Sequence, residues 1–178
     1  MKVPTAVQQM PAIAPLLVGA DHIDVKSVES DLPMQAFIAG MLSYQPGWMT
    51  FLYGVRWLFV RLLGMKQEGV PRVRTMRPEE VSLTPGEAAY FFKVTAASPE
   101  QYWFAEASES HLTARLGVVV EQPADGPRRL HVVTVVHYNR WTGPVYFNVI
   151  RPFHHIVVGS MIKAAVRPAV TPLLEVQP

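Results

Sequence analysis

The chain of 178 residues is long enough for one domain with a hydrophobic core. Its 49% apolar and 17% charged residues exclude an intrinsically disordered chain, and its net charge of +2 is too small to indicate a nucleic-acid-binding protein. The absence of cysteine excludes disulfides, thiolate chemistry and cysteine-ligated zinc.

Neither of the two apolar stretches is expected to enter a membrane. Residues 1–20 carry one lysine, and a glutamine pair and prolines interrupt the apolar run, so this segment is a poor signal peptide. Residues 47–64 contain Arg56 and Arg61, whose charges would be costly inside a bilayer. We therefore expect no transmembrane helix, no stable membrane insertion and a cytoplasmic location.

The first half of the chain is predicted to contain one strand and two helices. Residues 1–19 lack periodicity and are expected to form an N-terminal arm, and residues 20–29 alternate between apolar and polar side chains, as a strand does. A helix is predicted over 33–43, with a proline at its start, and a second over 48–63. Residues 68–85 are rich in proline and basic residues, which predicts a loop.

The second half is predicted to be a series of strands followed by a helix. Short spacings between the strand-like runs favour antiparallel hairpins over βαβ crossovers. The predicted strands are residues 88–97, 101–108, 112–121, 130–140 and 145–150. Pro152 is expected to open a long C-terminal helix, and residues 169–178 form a tail. The result is a single α+β domain over residues 20–168.

This order of elements is similar to the START-like, or helix-grip, fold. There a curved antiparallel sheet wraps around a long C-terminal helix, and here two helices are inserted after the first strand. Local sequence also resembles an uncharacterised bacterial domain-of-unknown-function family of that superfamily. The resembling segments are residues 20–24, 46–48, 110–115, 137–139 with Gly143, Tyr146 and Phe147, and 150–161. The chain departs from the family pattern at Ser110 and Thr113, where acidic residues are usual.

The resemblance implies a fold and leaves the activity open. The superfamily holds lipid and hormone binders, polyketide cyclases, ring-hydroxylase subunits and stress sensors, and a fold alone does not give a function. The sequence contains no GxGxxG motif after a strand, nucleophile elbow or P-loop. We therefore expect no cofactor.

The six histidines do not form a recognisable metal site. His154 and His155 are adjacent on a predicted helix and point about 100° apart, so they cannot easily share one ion. His131 and His137 are on one predicted strand but roughly 20 Å apart. We therefore predict no metal.

Two histidines are candidate acid/base residues. His137 and Asn139 share a strand face, and His154 follows at the start of the last helix, so these polar groups could meet at one end of the sheet. Alternatively, His154 could hydrogen-bond to the backbone or a neighbouring side chain and fix the corner between strand and helix. Arg115 is expected to pair with Glu106 across two strands, with both side chains facing outward.

Three functions remain open on the sequence alone. The first is binding of a hydrophobic small molecule (a lipid, isoprenoid or aromatic metabolite) in a cavity of about 300–1,000 Å³ between sheet and C-terminal helix. The second is a cyclase- or dehydratase-type enzyme that uses His137 or His154. The third is a ligand-free interaction module, which could form a homodimer. The predicted ligand-binding residues are Trp48, Phe51, Arg115, His137, Asn139, Tyr146, Phe153, His154, Val157 and Met161.

Overall fold

The computed structural model describes residues 3–11, 13–62 and 74–167. The helices are α1 (Thr5–Gln8), α2 (Ala14–Leu17), α3 (Met34–Ser43), α4 (Gly47–Leu62) and α5 (Thr142–Ala165). The strands are β1 (His22–Glu29), β2 (Ala88–Ala89), β3 (Phe92–Ser98), β4 (Tyr102–Ser108), β5 (Leu112–Glu121) and β6 (Arg129–Tyr138). A short 3-10 helix, Pro78–Glu80, precedes β2.

The six strands form one antiparallel sheet in the order β1-β6-β5-β4-β3-β2. Strands β2 to β6 follow one another along the chain as neighbours, while β1 comes first in sequence and pairs with β6. The long helix α5 follows β6 directly, and α3 and α4 lie between β1 and β2 in sequence. The predicted α+β helix-grip arrangement, with two helices inserted after the first strand, is thereby confirmed.

The main core lies between the sheet and the helices α3 and α5. On β6, Leu130 and Val132 pack in the same buried cluster as Phe37 of α3 and Val158 and Ile162 of α5. We call this side of the sheet the inner face. Helix α4 contributes less to the core, since only Met49 and Val60 are buried among its described side chains.

The N-terminal arm covers the opposite, outer face of the sheet. Val7 and Ile13 are fully buried there, in one cluster with Phe104, Val133 and Val135. The arm contains two helices of four residues each, which are too short to produce a periodic sequence pattern. Because β6 is covered on both faces, its sequence is an almost continuous apolar run instead of a clean alternation.

The prediction of a strand over residues 145–150 is wrong, because this segment is the first part of helix α5. Its β-branched and aromatic residues are typical of strands, and Pro152 was expected to open the helix. Pro152 lies inside the helix instead. Both Pro152 and Asn148, whose carbonyl loses its helical partner, are exposed, so water can satisfy that carbonyl. Tyr146 and Phe147 are buried at helical spacing from Val158 and Ile162.

Some predicted segments lie outside the described residues: the tail over 169–178, the end of the second helix at residue 63, and residues 68–73 of the loop. Within the part of the chain that the structure describes, no helix combines the length and apolar character needed to cross a bilayer.

Candidate functional site

A cavity of about 420 Å³ lies between the inner face of the sheet and the helices α3, α4 and α5. This volume is within the range of small-molecule sites, about 300–1,000 Å³. Most of the side chains that line it are apolar; they include Leu52, Leu116, Val136, Ile150, Val157 and Met161. The polar side chains of the described lining form separate groups, which come from the segment between α3 and α4, from α4, from the sheet and the turn before β5, and from α5.

Six of the ten predicted ligand-binding residues border this cavity. They are Arg115, Tyr146, Phe153, His154, Val157 and Met161. Trp48 and Phe51 do not border it, and they are 38% and 72% exposed. Helix α4 turns a different side, with Leu52 and Arg56, toward the cavity. Trp48 and Phe51 therefore lie on the outward side of this helix.

His137 lies on the outer face of the sheet, away from the cavity. Side chains alternate along β6, so Thr134 faces inward and His137 outward. Arg115 Nη1 lies 3.0 Å from His137 Nδ1, and His137 Nε2 lies 3.1 Å from the backbone oxygen of Val18. The expected meeting of His137 with His154 does not occur, and His137 instead ties the N-terminal arm to the sheet.

Arg115 and Asn139 have structural partners of their own. Arg115 Nε is 3.2 Å from Glu106 Oε2, as expected from the facing positions on neighbouring strands, so its guanidinium is engaged on the outer face. Asn139 Nδ2 donates to the backbone oxygen of Glu109 at 2.8 Å, which braces the turn before β5. Asn139 therefore lies outside the cavity but helps to position Glu109, which does line it.

One polar group inside the cavity is formed by His154 and Thr134. His154 Nε2 lies 3.2 Å from Thr134 Oγ1, and Thr134 is only 3% exposed. Burial lowers the pKa of His154 to about 4; Asp24 opposes this shift, while His155, His22 and Lys26 add to it. The imidazole is therefore neutral near pH 7, where one ring nitrogen can accept a hydrogen bond and the other can donate one.

Behind His154, a charged cluster joins β1 to α5. Asp24 is 1% exposed, and its Oδ2 lies 3.0 Å from both Lys26 Nζ and His155 Nδ1. Burial alone would raise the pKa of Asp24, but the interactions with Lys26 and His155 outweigh it and lower the pKa below its ordinary value. None of these three residues lines the cavity. Among the described residues, no three His, Cys, Asp or Glu side chains are placed to hold a metal ion.

A second polar group in the cavity combines Arg56, Glu109 and Tyr146. The guanidinium of Arg56 donates from Nε to Tyr146 Oη and from Nη2 to Glu109 Oε1, both at 2.5 Å. Burial alone would lower the pKa of Arg56, but Tyr146 and Glu109 raise it, so the guanidinium stays charged. Burial raises the pKa of Tyr146, against the effect of Arg56, so its hydroxyl stays protonated.

His111 lies behind this Arg56–Glu109–Tyr146 group. It is fully buried, its ring centroid is 4.5 Å from that of Tyr146, and its Nε2 is 3.5 Å from Glu109 Oε2. Burial lowers the pKa of His111, although Glu109 opposes the shift. Both His111 nitrogens and Glu109 Oε2 make no hydrogen bond among the described residues. The group therefore retains hydrogen-bonding capacity that the fold does not use.

Sequence reasoning did not identify Arg56, Glu109 or His111 as site residues. In the sequence, Arg56 served as a charge that argues against membrane insertion of residues 47–64. One signal was available in the sequence: His111 lies within the family-like segment 110–115, and Glu109 directly precedes it. Tyr53 and Gln45 also line the cavity and were not predicted as site residues. Burial raises the pKa of Tyr53.

Comparison with solved structures gives three matches at low sequence identity and low TM-score. The crystal structure of Ara h 8.0201 is 10% identical, with a TM-score of 0.38 and coverage of 81% of this chain and 97% of that chain. Norcoclaurine synthase from Thalictrum flavum is 12% identical, with a TM-score of 0.37 and coverage of 94% and 99%. The Arabidopsis thaliana protein At1g70830, of the major latex protein family, is 12% identical, with a TM-score of 0.37 and coverage of 81% and 93%.

Comparison with sequences is more specific. No curated protein matches the chain. A family model does match, over residues 16–161, and it spans every element from α2 to most of α5. The chain therefore belongs to the family described as Protein of unknown function (DUF2867).

Proposed function

We propose that the protein binds a hydrophobic small molecule, such as a lipid, isoprenoid or aromatic metabolite, in the cavity between the sheet and α5. The observation that carries this proposal is the volume of about 420 Å³ with a predominantly apolar lining. An apolar ligand that fills this cavity would remove its apolar lining from water and would gain packing contacts with the side chains around it.

An enzyme of the cyclase or dehydratase type is the second candidate, and His154 is the observation that favours it. This imidazole lines the cavity and is unprotonated near pH 7, so it can act as a weak general base toward a bound substrate. A ligand-free interaction module would need a filled interior, so the cavity counts against it. Formation of a homodimer stays a prediction.

Filling the cavity is expected to weaken ligand binding. The Val157→Trp variant places an indole in the cavity, because Val157 lines it, and should raise the dissociation constant of the neutral fluorescent probe N-phenylnaphthylamine about ten-fold or more. The measurement is a fluorescence titration, with circular dichroism to verify folding. Native mass spectrometry of gently purified protein would identify the class of any molecule that co-purifies.

The neighbouring residue provides a matched control. Ile156 is 58% exposed and does not line the cavity, so Ile156→Trp adds the same ring outside it and should leave probe affinity unchanged. Equal affinity for a folded Val157→Trp variant and the original protein would contradict binding in this cavity.

A further inference from the structure

The described cavity lining includes two arginines, but the guanidinium of Arg115 is held on the outer face of the sheet, so Arg56 is the described arginine whose charge a ligand in the cavity would meet. Arg56 Nη2 is 2.5 Å from Glu109 Oε1, and Arg115 Nε is 3.2 Å from Glu106 Oε2. Arg56 also donates to Tyr146, which is 5% exposed. Opposite charges at this distance largely cancel, so a ligand in the cavity meets the Arg56–Glu109 ion pair instead of a free cation.

We propose that the site selects apolar molecules whose polar group is an uncharged hydroxyl or carbonyl over molecules that carry a carboxylate. This inference rests on the proposed function and assigns the Arg56–Glu109–Tyr146 group to the polar part of the ligand. A ligand carboxylate would lose its hydration and compete with Glu109 for Arg56, leaving one of the two anions unpaired in a largely apolar cavity.

An uncharged polar group meets no such conflict. Glu109 is an acceptor and can accept from a ligand hydroxyl. The Tyr146 oxygen accepts from Arg56, which leaves the hydroxyl hydrogen of Tyr146 for a ligand oxygen. The His154 and Thr134 pair offers two more neutral groups, since burial lowers the pKa of His154 to about 4. Every polar group described here therefore suits a neutral partner better than an anion.

The test compares decanol with decanoate at pH 8 as competitors for bound N-phenylnaphthylamine. The two have the same chain length and differ in the charge of the end group. We expect decanol to displace the probe at about ten-fold lower concentration than decanoate. The Glu109→Gln variant leaves Arg56 without its counter-ion, so decanoate should gain about ten-fold relative to decanol.

Glu106→Gln is the matched control, because it removes the partner of Arg115, whose guanidinium contacts Glu106 and His137 on the outer face. The ratio of decanol to decanoate affinity should not change in this variant. Glu109→Asp shortens the carboxylate and should move the ratio in the same direction as Glu109→Gln, by less, so it serves if Glu109→Gln does not fold.

The outcomes separate this inference from the proposed function. Displacement by decanoate equal to or tighter than that by decanol would overturn the selectivity while the binding function stands. An unchanged ratio in a folded Glu109→Gln variant would also overturn it. If the probe does not bind to the original protein at all, the proposed function fails and the inference fails with it.

Discussion

Replacing Gly117 with alanine should destabilise the protein by about 2–4 kcal/mol, because the new methyl group would overlap a side chain that cannot move away. Gly117 on β5 is directly opposite Phe104 on β4. A Cβ atom at position 117 would overlap the ring of Phe104, which lies over the glycine. Phe104 is fully buried and packs with Val7 and Ile13 of the N-terminal arm, so the arm prevents its ring from moving away from the sheet.

Urea denaturation of the Gly117→Ala variant measures this effect. Gly54→Ala is the control, since a Cβ at this exposed position of α4 meets no atom within 4 Å. There, alanine should stabilise the helix by up to about 1 kcal/mol. In a Phe104→Leu background the cost of Gly117→Ala should shrink, because a smaller side chain faces residue 117. A Gly117→Ala variant as stable as the original protein would refute the steric argument.

Local periodicity predicted most of the fold. The strand β1, the helices α3 and α4, and the four antiparallel strands β3 to β6 were all expected in this order, as was a long C-terminal helix. These elements bury one face against a common core, so the spacing of their apolar residues reflects their structure. The family resemblance is confirmed by the match over residues 16–161.

Two predictions, the strand over residues 145–150 and the position of His137, failed because the spacing of apolar residues is ambiguous there. The start of α5 combines strand-forming residues with an internal proline, and only tertiary packing of Tyr146 and Phe147 decides for a helix. For His137, the prediction that it shares a strand face with Asn139 did not say which face of the sheet that is. Because β6 is apolar on both faces, its sequence cannot distinguish the side of the cavity from the side of the arm.

The polar group in the cavity was beyond sequence reasoning for a different reason. Arg56 and Glu109 are 53 residues apart, and they meet only because α4 lies beside the turn before β5. Tyr146 was predicted as a ligand-binding residue, but its hydrogen bond with Arg56 was not. No local pattern encodes such a contact, whereas six of the ten residues predicted to bind a ligand border the cavity.

Lowering the pH from 7 to 4 should destabilise the protein, and His154 is expected to make the largest single contribution. Burial lowers its pKa in the folded state to about 4, from 6.5 in the unfolded chain. Between these values the unfolded state binds more protons, so the free energy of unfolding falls as the pH falls. The contribution of the neutral His154 to the free energy of unfolding is fully present above pH 6.5. The loss of this contribution approaches about 3 kcal/mol near pH 4.

Neighbouring groups act in the same direction. Burial lowers the pKa of His22 and of His111, so each adds to the loss of stability as the pH falls below 6.5. The pKa of Asp24 is also lowered, through Lys26 and His155 against the effect of burial. That carboxylate stabilises the fold above its unfolded pKa near 3.8, so its contribution is lost only in stronger acid.

The His154→Gln variant isolates the contribution of His154, because glutamine can still hydrogen-bond to Thr134 but does not titrate. Urea denaturation at pH 7 and at pH 4.5 should show a smaller difference in unfolding free energy for this variant, by about 2–3 kcal/mol. Val157→Ala lowers stability without removing a titrating group, so its pH dependence should match that of the original protein. If His154→Gln keeps the full pH dependence, the buried imidazole is not the group that makes the fold sensitive to acid.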